Sequence, residues 1–103
     1  MRRIIVRYKT RPDRTEENAR LIESVFEDLQ KSSPDGIRYV VFRVDDGTFV
    51  HMSETEDGVA PLPEREAFRR FQSGVKERCI EPPQQGQATI VGNYRMLMTR
   101  ETD

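Results

Sequence analysis

A predicted β-hairpin between Gly36 and Glu54 constrains this chain more than any other feature. Two runs rich in Val, Ile, Phe and Tyr flank Asp45-Asp46-Gly47. An Asp-Gly pair between apolar alternations is the strongest short-range hairpin signal in a sequence. The rest of the chain is arranged about this hairpin, because each side of it carries one helix pattern and one outer strand pattern.

The register of the hairpin depends on which residues form its turn. A two-residue type I′ turn at Asp46-Gly47 places His51 opposite Phe42, on the side of Val40, Val44 and Phe49. A three-residue turn over Asp45-Asp46-Gly47, with a glycine bulge, instead places His51 on the face of Tyr39, Val41 and Arg43. Both registers remain open at this point.

The elements on either side follow from periodicity. Alternation predicts a first strand over Arg3 to Thr10, and apolar residues at helical period predict a helix that includes Ala19 to Leu29. After an acidic loop over 54–63, long enough to be mobile or functional, a second helix is expected from Pro63 to about Cys79. Residues 88–98 alternate as the last strand, and residues 99–103 are expected to form a frayed tail.

This order of elements, strand-helix-strand-strand-helix-strand, predicts a single domain over residues 1–103. The fold class is α+β: a ferredoxin-like βαββαβ arrangement with two helices on one face of a four-stranded antiparallel sheet. The other face would then expose Val, Ile, Phe, Tyr and Met. Because such a patch usually marks an interface, we expect a homodimer joined through the sheet faces.

Composition excludes several classes of protein. With 17 basic and 18 acidic residues the net charge is -1, unlike the strongly basic surface of a nucleic-acid-binding protein. No apolar run reaches membrane-spanning length, and the single Cys79 cannot form an internal disulfide. Met1-Arg2-Arg3 leads into a strand rather than a signal peptide, so we expect a cytoplasmic protein without nucleic-acid or membrane partners.

Short motifs in the chain resemble a known group of proteins. Ile5 to Asp13, the strand Phe49-Val50-His51 and the end Val91 to Arg95 are similar to small bacterial proteins of the dimeric α+β-barrel superfamily, nearest to its antibiotic-biosynthesis-monooxygenase-like branch. The resemblance implies two ferredoxin-like subunits with their sheets face to face, forming a barrel that often encloses a small-molecule pocket in each subunit.

The resemblance implies an activity as well as a fold. It suggests a cofactor-independent monooxygenase acting on a small aromatic or quinol-like compound, with no bound metal or flavin. The chain departs from that pattern near Thr55, where relatives commonly carry Trp, because it contains no Trp. The alternative is a non-catalytic structural or interaction module of the same fold with a filled barrel.

His51 is the candidate catalytic residue. It is the only histidine, and its ordinary pKa of about 6.5 suits proton transfer near neutral pH. The resemblance places Phe49, His51 and Ser53 toward the barrel interior, where an apolar neighbourhood would lower the pKa of His51 and leave it able to take a proton from a phenol. Other candidates, which would bind substrate, are chosen by strand position alone: Phe49, Tyr39, Arg43, Asn93 and Tyr94, with Arg7 beside them.

Overall fold

The computed structural model describes residues 1–97 as one antiparallel sheet with two α-helices on one face. The strands are β1 (Arg2–Thr10), β2 (Ile37–Arg43), β3 (Thr48–Thr55) and β4 (Cys79–Gln87), and the helices are α1 (Thr15–Ser32) and α2 (Glu66–Gln72). The strand order in the sheet is β2-β3-β1-β4. The predicted ferredoxin-like βαββαβ fold is therefore confirmed. Residues 98–103, which include the predicted tail, lie outside the described residues.

The hairpin has the three-residue turn. The Val44 N–H donates to the Thr48 carbonyl at 2.8 Å, the Gly47 N–H donates to the Val44 carbonyl at 3.2 Å, and Gly47 has a φ of 90°. A left-handed glycine closing a three-residue loop is the Gly-bulge geometry. His51 consequently pairs with Val41, so the two-residue register is wrong.

The last strand lies earlier in the chain than the alternation predicted. It is β4, which includes Pro82 and Pro83, whereas residues 88–97 have no helix or strand. A proline cannot donate to a neighbouring strand, but it is tolerated on an edge or at a bulge. β4 is the edge strand next to β1, and its pairing with β1 shifts register at the two prolines. The prediction of a strand over residues 88–98 is therefore wrong for the part of it that the structure describes.

Helix α2 is also shorter than predicted, because it ends at Gln72, Ser73 is extended and Gly74 completes a turn that leads the chain away from the helix axis. The φ of Gly74 is 82°, a conformation that glycine adopts without strain. A single 3-10 turn, Lys76–Arg78, then leads directly into β4. Cys79 therefore begins a strand and does not lie at a helix end; burial raises the pKa of its thiol.

The two faces of the sheet have different environments. Tyr8 and Phe49 are almost fully buried under the helices and pack with Val25 of α1 and Phe71 of α2 in one core cluster. The opposite face, which we call the open face, is uncovered in the single chain. It carries Phe42, which is 51% exposed, with paired residues of β1 and β3: Ile5, Val50 and Met52.

Candidate functional site

A pocket of about 470 Å³ lies between the helix-covered face of the sheet, helix α2 and the loop after β3. We call it the helix-side pocket. Its apolar wall includes Ile4, Val6, Phe68 and Val75, while His51 and Tyr39 are among the polar residues that line it. The acidic loop contributes further lining residues between Glu56 and Pro63. This loop, noted in the sequence for its length, thus forms part of the pocket wall.

A continuous series of hydrogen bonds runs from the core to this pocket. Arg78 Nε donates to Asn18 Oδ1 at 2.9 Å, and Asn18 Nδ2 donates to the Tyr8 hydroxyl at 2.9 Å. The Tyr8 hydroxyl is 2.7 Å from His51 Nε2, and the Tyr39 hydroxyl is 2.6 Å from His51 Nδ1. We call these five residues the buried chain, since the first four are at most 5% exposed.

Several elements of the fold bring the buried chain together. Tyr8 lies on β1, His51 on β3 and Tyr39 on β2, and all three side chains face the helices. Asn18 comes from α1, and Arg78 comes from the turn before β4. Stacking holds the imidazole ring of His51 in place, because its centroid is 5.3 Å from that of Phe71 at an interplanar angle of 27°. The site therefore depends on tertiary packing of the whole domain.

Burial controls the protonation of these groups. Desolvation lowers the pKa of His51 to about 4, because a charged imidazolium is disfavoured away from water. The same cause raises the pKa values of Tyr8 and Tyr39 well above their ordinary range. At neutral pH the histidine is therefore neutral and both tyrosines keep their protons.

The expected orientation of His51 toward the barrel interior is wrong. Its ring stacks on Phe71 of α2 and lies on the helix-covered face. Its two nitrogens are both engaged by tyrosine hydroxyls, and a pKa of about 4 makes it a weak base at pH 7. These three findings argue against direct proton abstraction by His51 from a ligand.

Of the predicted substrate-binding residues, Tyr39 alone lines the helix-side pocket. Phe49 is buried in the core and stacks on Tyr8, with ring centroids 5.6 Å apart. Arg43 is exposed and forms an ion pair with Glu16 at 2.6 Å. The remaining two, Asn93 and Tyr94, lie beyond β4 in the segment without helix or strand.

The local contacts of these outlying residues are also distinct from the pocket. Asn93 Oδ1 accepts from the backbone N–H groups of Met96 and Leu97, so it organises its own loop. Tyr94 is 78% exposed. Arg7, on the open face, pairs with Glu81 at 3.1 Å. The structure does not bring any of these residues together with His51.

Sequence reasoning missed Tyr8, Asn18 and Arg78 as members of the site. Asn18 had a detectable signal, because it precedes Ile22 by four and Val25 by seven residues on the apolar stripe of α1. A polar residue on a buried stripe needs a hydrogen-bond partner. Tyr8 and Arg78 carried no comparable signal, since tyrosine is ordinary on a strand and arginine is ordinary on the mixed, solvent-exposed face of a predicted helix.

Residues 1–97 contain neither a metal-binding cluster nor a membrane-spanning helix. This part of the chain brings together no group of three or more His, Cys, Asp or Glu side chains able to hold a metal ion. None of its helices has the length and apolar character needed to cross a membrane.

Comparisons with known proteins give matches in structure but not in sequence. No protein-family model matches the chain, and no curated protein gives a significant match. Among solved structures, an antibiotic biosynthesis monooxygenase is 18% identical, with a TM-score of 0.72 over 89% of this chain and 100% of its own.

Two further structures agree with this match. The protein Rv0793 from Mycobacterium tuberculosis is 18% identical, with a TM-score of 0.71 over 88% of this chain and 95% of its own. The protein PA3566 from Pseudomonas aeruginosa is 18% identical, with a TM-score of 0.68 over 87% of this chain and 93% of its own. The TM-scores show that these proteins share the fold, whereas an identity of 18% leaves the activity open. The resemblance predicted from the sequence is confirmed at that level: this chain has the ferredoxin-like α+β fold of antibiotic biosynthesis monooxygenase-like structures.

Proposed function

We propose that the protein binds a small aromatic compound with a phenolic or enolic oxygen in the helix-side pocket and oxidises it with O₂. The observation that carries the proposal is that Tyr39 and His51, bonded to each other at 2.6 Å, both line an otherwise largely apolar pocket. Apolar walls with a few placed polar groups are typical of small-molecule sites.

The size of the pocket suits such a ligand. Its volume of about 470 Å³ lies within the range of roughly 300–1,000 Å³ that is usual for ligand sites. Phe68 and Val75 offer apolar contact to an aromatic ring. A pocket of this size on the helix-covered side of the sheet supports ligand binding over the alternative of a non-catalytic interaction module.

Tyr39 is the group that would touch the substrate oxygen. Its hydroxyl forms one hydrogen bond, with His51 Nδ1, and can form another. Because its pKa is raised, the hydroxyl stays protonated and could donate to a substrate oxyanion, whose negative charge such a bond stabilises. In this proposal His51 holds Tyr39 in place, which replaces its earlier role as the general base.

The chemistry can be written for a 1,4-quinol. The bound quinol loses a proton to solvent, and the resulting phenolate donates electrons to O₂. One oxygen atom forms a new carbon–oxygen bond, the other leaves as water, and the product is a hydroxyquinone. Four electrons pass from the quinol to O₂, so this balance requires no bound metal or flavin.

The proposal includes a homodimer in the cytoplasm. Two copies would pack open face to open face and cover Phe42 and its apolar neighbours, since exposed patches of this kind usually mark interfaces. The self-association common among proteins of this fold supports the pairing. The cytoplasm is proposed because the chain has a single cysteine, whereas small secreted domains commonly carry several that form disulfides.

A thermal-shift screen against quinols, fatty acids and aromatic acids tests the ligand class. We expect quinols and aromatic acids to raise the melting temperature, because a ligand that binds only the folded state stabilises it. Hits are then followed in an oxygen electrode, and ¹⁸O₂ should place one labelled atom in the product.

A matched pair of variants links the activity to the pocket. Tyr39→Phe should lower turnover on the order of a hundredfold, the scale of one lost oxyanion donor, while the same change at exposed Tyr94 should leave it unaltered. The proposal fails if no aromatic compound stabilises the protein, or if Tyr39→Phe oxidises the best hit at the wild-type rate.

A further inference from the structure

The positions of the protons along the buried chain can be derived from its hydrogen bonds. We propose that Arg78 and Asn18 are positioning residues that fix the direction of these bonds and so make the Tyr39 hydroxyl a donor toward the helix-side pocket. Only the identity of the ligand rests on the proposed function; the direction of the bonds does not.

The first step is the orientation of the Asn18 amide. Arg78 has donors but no acceptor, and its Nη2 and Nη1 donate to the carbonyls of Phe71 and Ser73 at 2.6 and 3.3 Å. Its Nε donates to Asn18 at 2.9 Å. The amide oxygen must therefore face Arg78, which turns the NH₂ group toward Tyr8.

The second step assigns the Tyr8 proton. The Asn18 NH₂ group can only donate, so the Tyr8 oxygen accepts at 2.9 Å. Asn18 and His51 are the partners of this hydroxyl among the described residues, and Tyr8 is 1% exposed. Its own proton therefore points to His51 Nε2, since any other direction would leave a buried O–H without an acceptor.

The third step fixes the tautomer of His51. A neutral imidazole has one donor and one acceptor. Because Nε2 accepts from Tyr8, the proton of His51 lies on Nδ1 and is donated to the Tyr39 oxygen at 2.6 Å. Within the buried chain no acceptor remains for the Tyr39 proton, so this proton is directed to the pocket that Tyr39 lines.

This direction selects a class of ligand. The pocket presents a hydroxyl donor at Tyr39, so its occupant should offer an acceptor oxygen there: a phenolate, an enolate or a carbonyl.

The experiment is ¹⁵N NMR of the imidazole, which distinguishes the two tautomers. The protein has a single histidine, so each sample gives one pair of nitrogen signals, and no ligand is added. For the wild type at pH 7 we expect a protonated Nδ1 and an unprotonated Nε2. The opposite tautomer in the wild type would overturn the proposal without the need for any variant.

Asn18→Asp should reverse the direction of the bonds. The new carboxylate accepts from both Arg78 and Tyr8, so the Tyr8 proton turns away from His51. Nε2 then carries the imidazole proton, and the Tyr39 hydroxyl donates to Nδ1. The matched control is Gln30→Glu, which adds one carboxylate to the exposed surface of the same helix and should keep the wild-type tautomer. A folded Asn18→Asp that retains the wild-type tautomer contradicts the proposal.

The ligand class is tested with 4-nitrophenol at the pH of its own midpoint, where its absorbance reports both forms. Excess protein should increase the phenolate band, and Asn18→Asp should weaken this increase by about tenfold. A shift to the phenol band, or an unchanged spectrum, would overturn the ligand class. Neither result alters the tautomer measurement, and failure of O₂ consumption alone would overturn only the proposed oxidation.

Discussion

Removal of the Tyr8 hydroxyl tests whether the buried chain stabilises the fold as well as orienting Tyr39. Tyr8→Phe keeps the ring that stacks on Phe49 and removes a single oxygen. That oxygen bonds Asn18 Nδ2 at 2.9 Å and His51 Nε2 at 2.7 Å. The substitution therefore leaves a buried donor and a buried acceptor without their partner.

The magnitude follows from these two groups. A buried polar group that loses its partner costs about 1–3 kcal/mol, and Asn18 and His51 are 0% and 5% exposed, so water cannot easily replace the hydroxyl. We expect Tyr8→Phe to lower the free energy of unfolding by about 2–6 kcal/mol, the sum for the two groups. For a domain of this size the melting temperature should fall by about 10–30 °C.

Urea denaturation, followed by circular dichroism at a fixed protomer concentration, measures the change. The control is Tyr94→Phe, the same substitution at a tyrosine that is 78% exposed, which should stay within about 0.5 kcal/mol of the wild type. Because the loss comes from unpaired partners, Tyr8→Phe with Asn18→Leu should cost less than the sum of the two single changes. A Tyr8→Phe protein as stable as the control would refute the reasoning.

Three further outcomes are expected. Gly74→Ala should lower the free energy of unfolding by about 1–2 kcal/mol in urea titrations, because Gly74 has a φ of 82°. The control is Gly86→Ala, because a Cβ atom added at Gly86 has no atom within 4 Å. Since the folded-state pKa of His51 is about 4 against an ordinary 6.5, the unfolded chain binds more protons between these values. Stability should therefore fall as the pH falls from about 6.5 to 4, and this fall should be smaller in His51→Asn. Phe42→Glu on the open face should convert the proposed dimer to a monomer in light scattering; a monomeric wild type would contradict the dimer.

Most of the fold could be predicted because its signals are local. The turn at Asp45-Asp46-Gly47 and the apolar stripe of α1 are short-range patterns, and the structure contains both. The last strand was misplaced because alternation over residues 88–98 is a better strand pattern than Cys79–Gln87. The edge position and the register shift against β1 together make Pro82 and Pro83 acceptable there, and both become known only when the whole sheet is assembled.

The site could be predicted only in part, because its properties depend on contacts between distant residues. Position in the sequence indicated His51 and Tyr39, but their roles depend on Asn18 and Arg78, which are 60 residues apart and hydrogen-bonded to each other. A histidine with a free nitrogen would be a candidate base, whereas one held between two tyrosines is a candidate orienting group. The same residue thus changes role according to partners that no local pattern specifies, so at this site function must be argued from the hydrogen bonds rather than from the residue type.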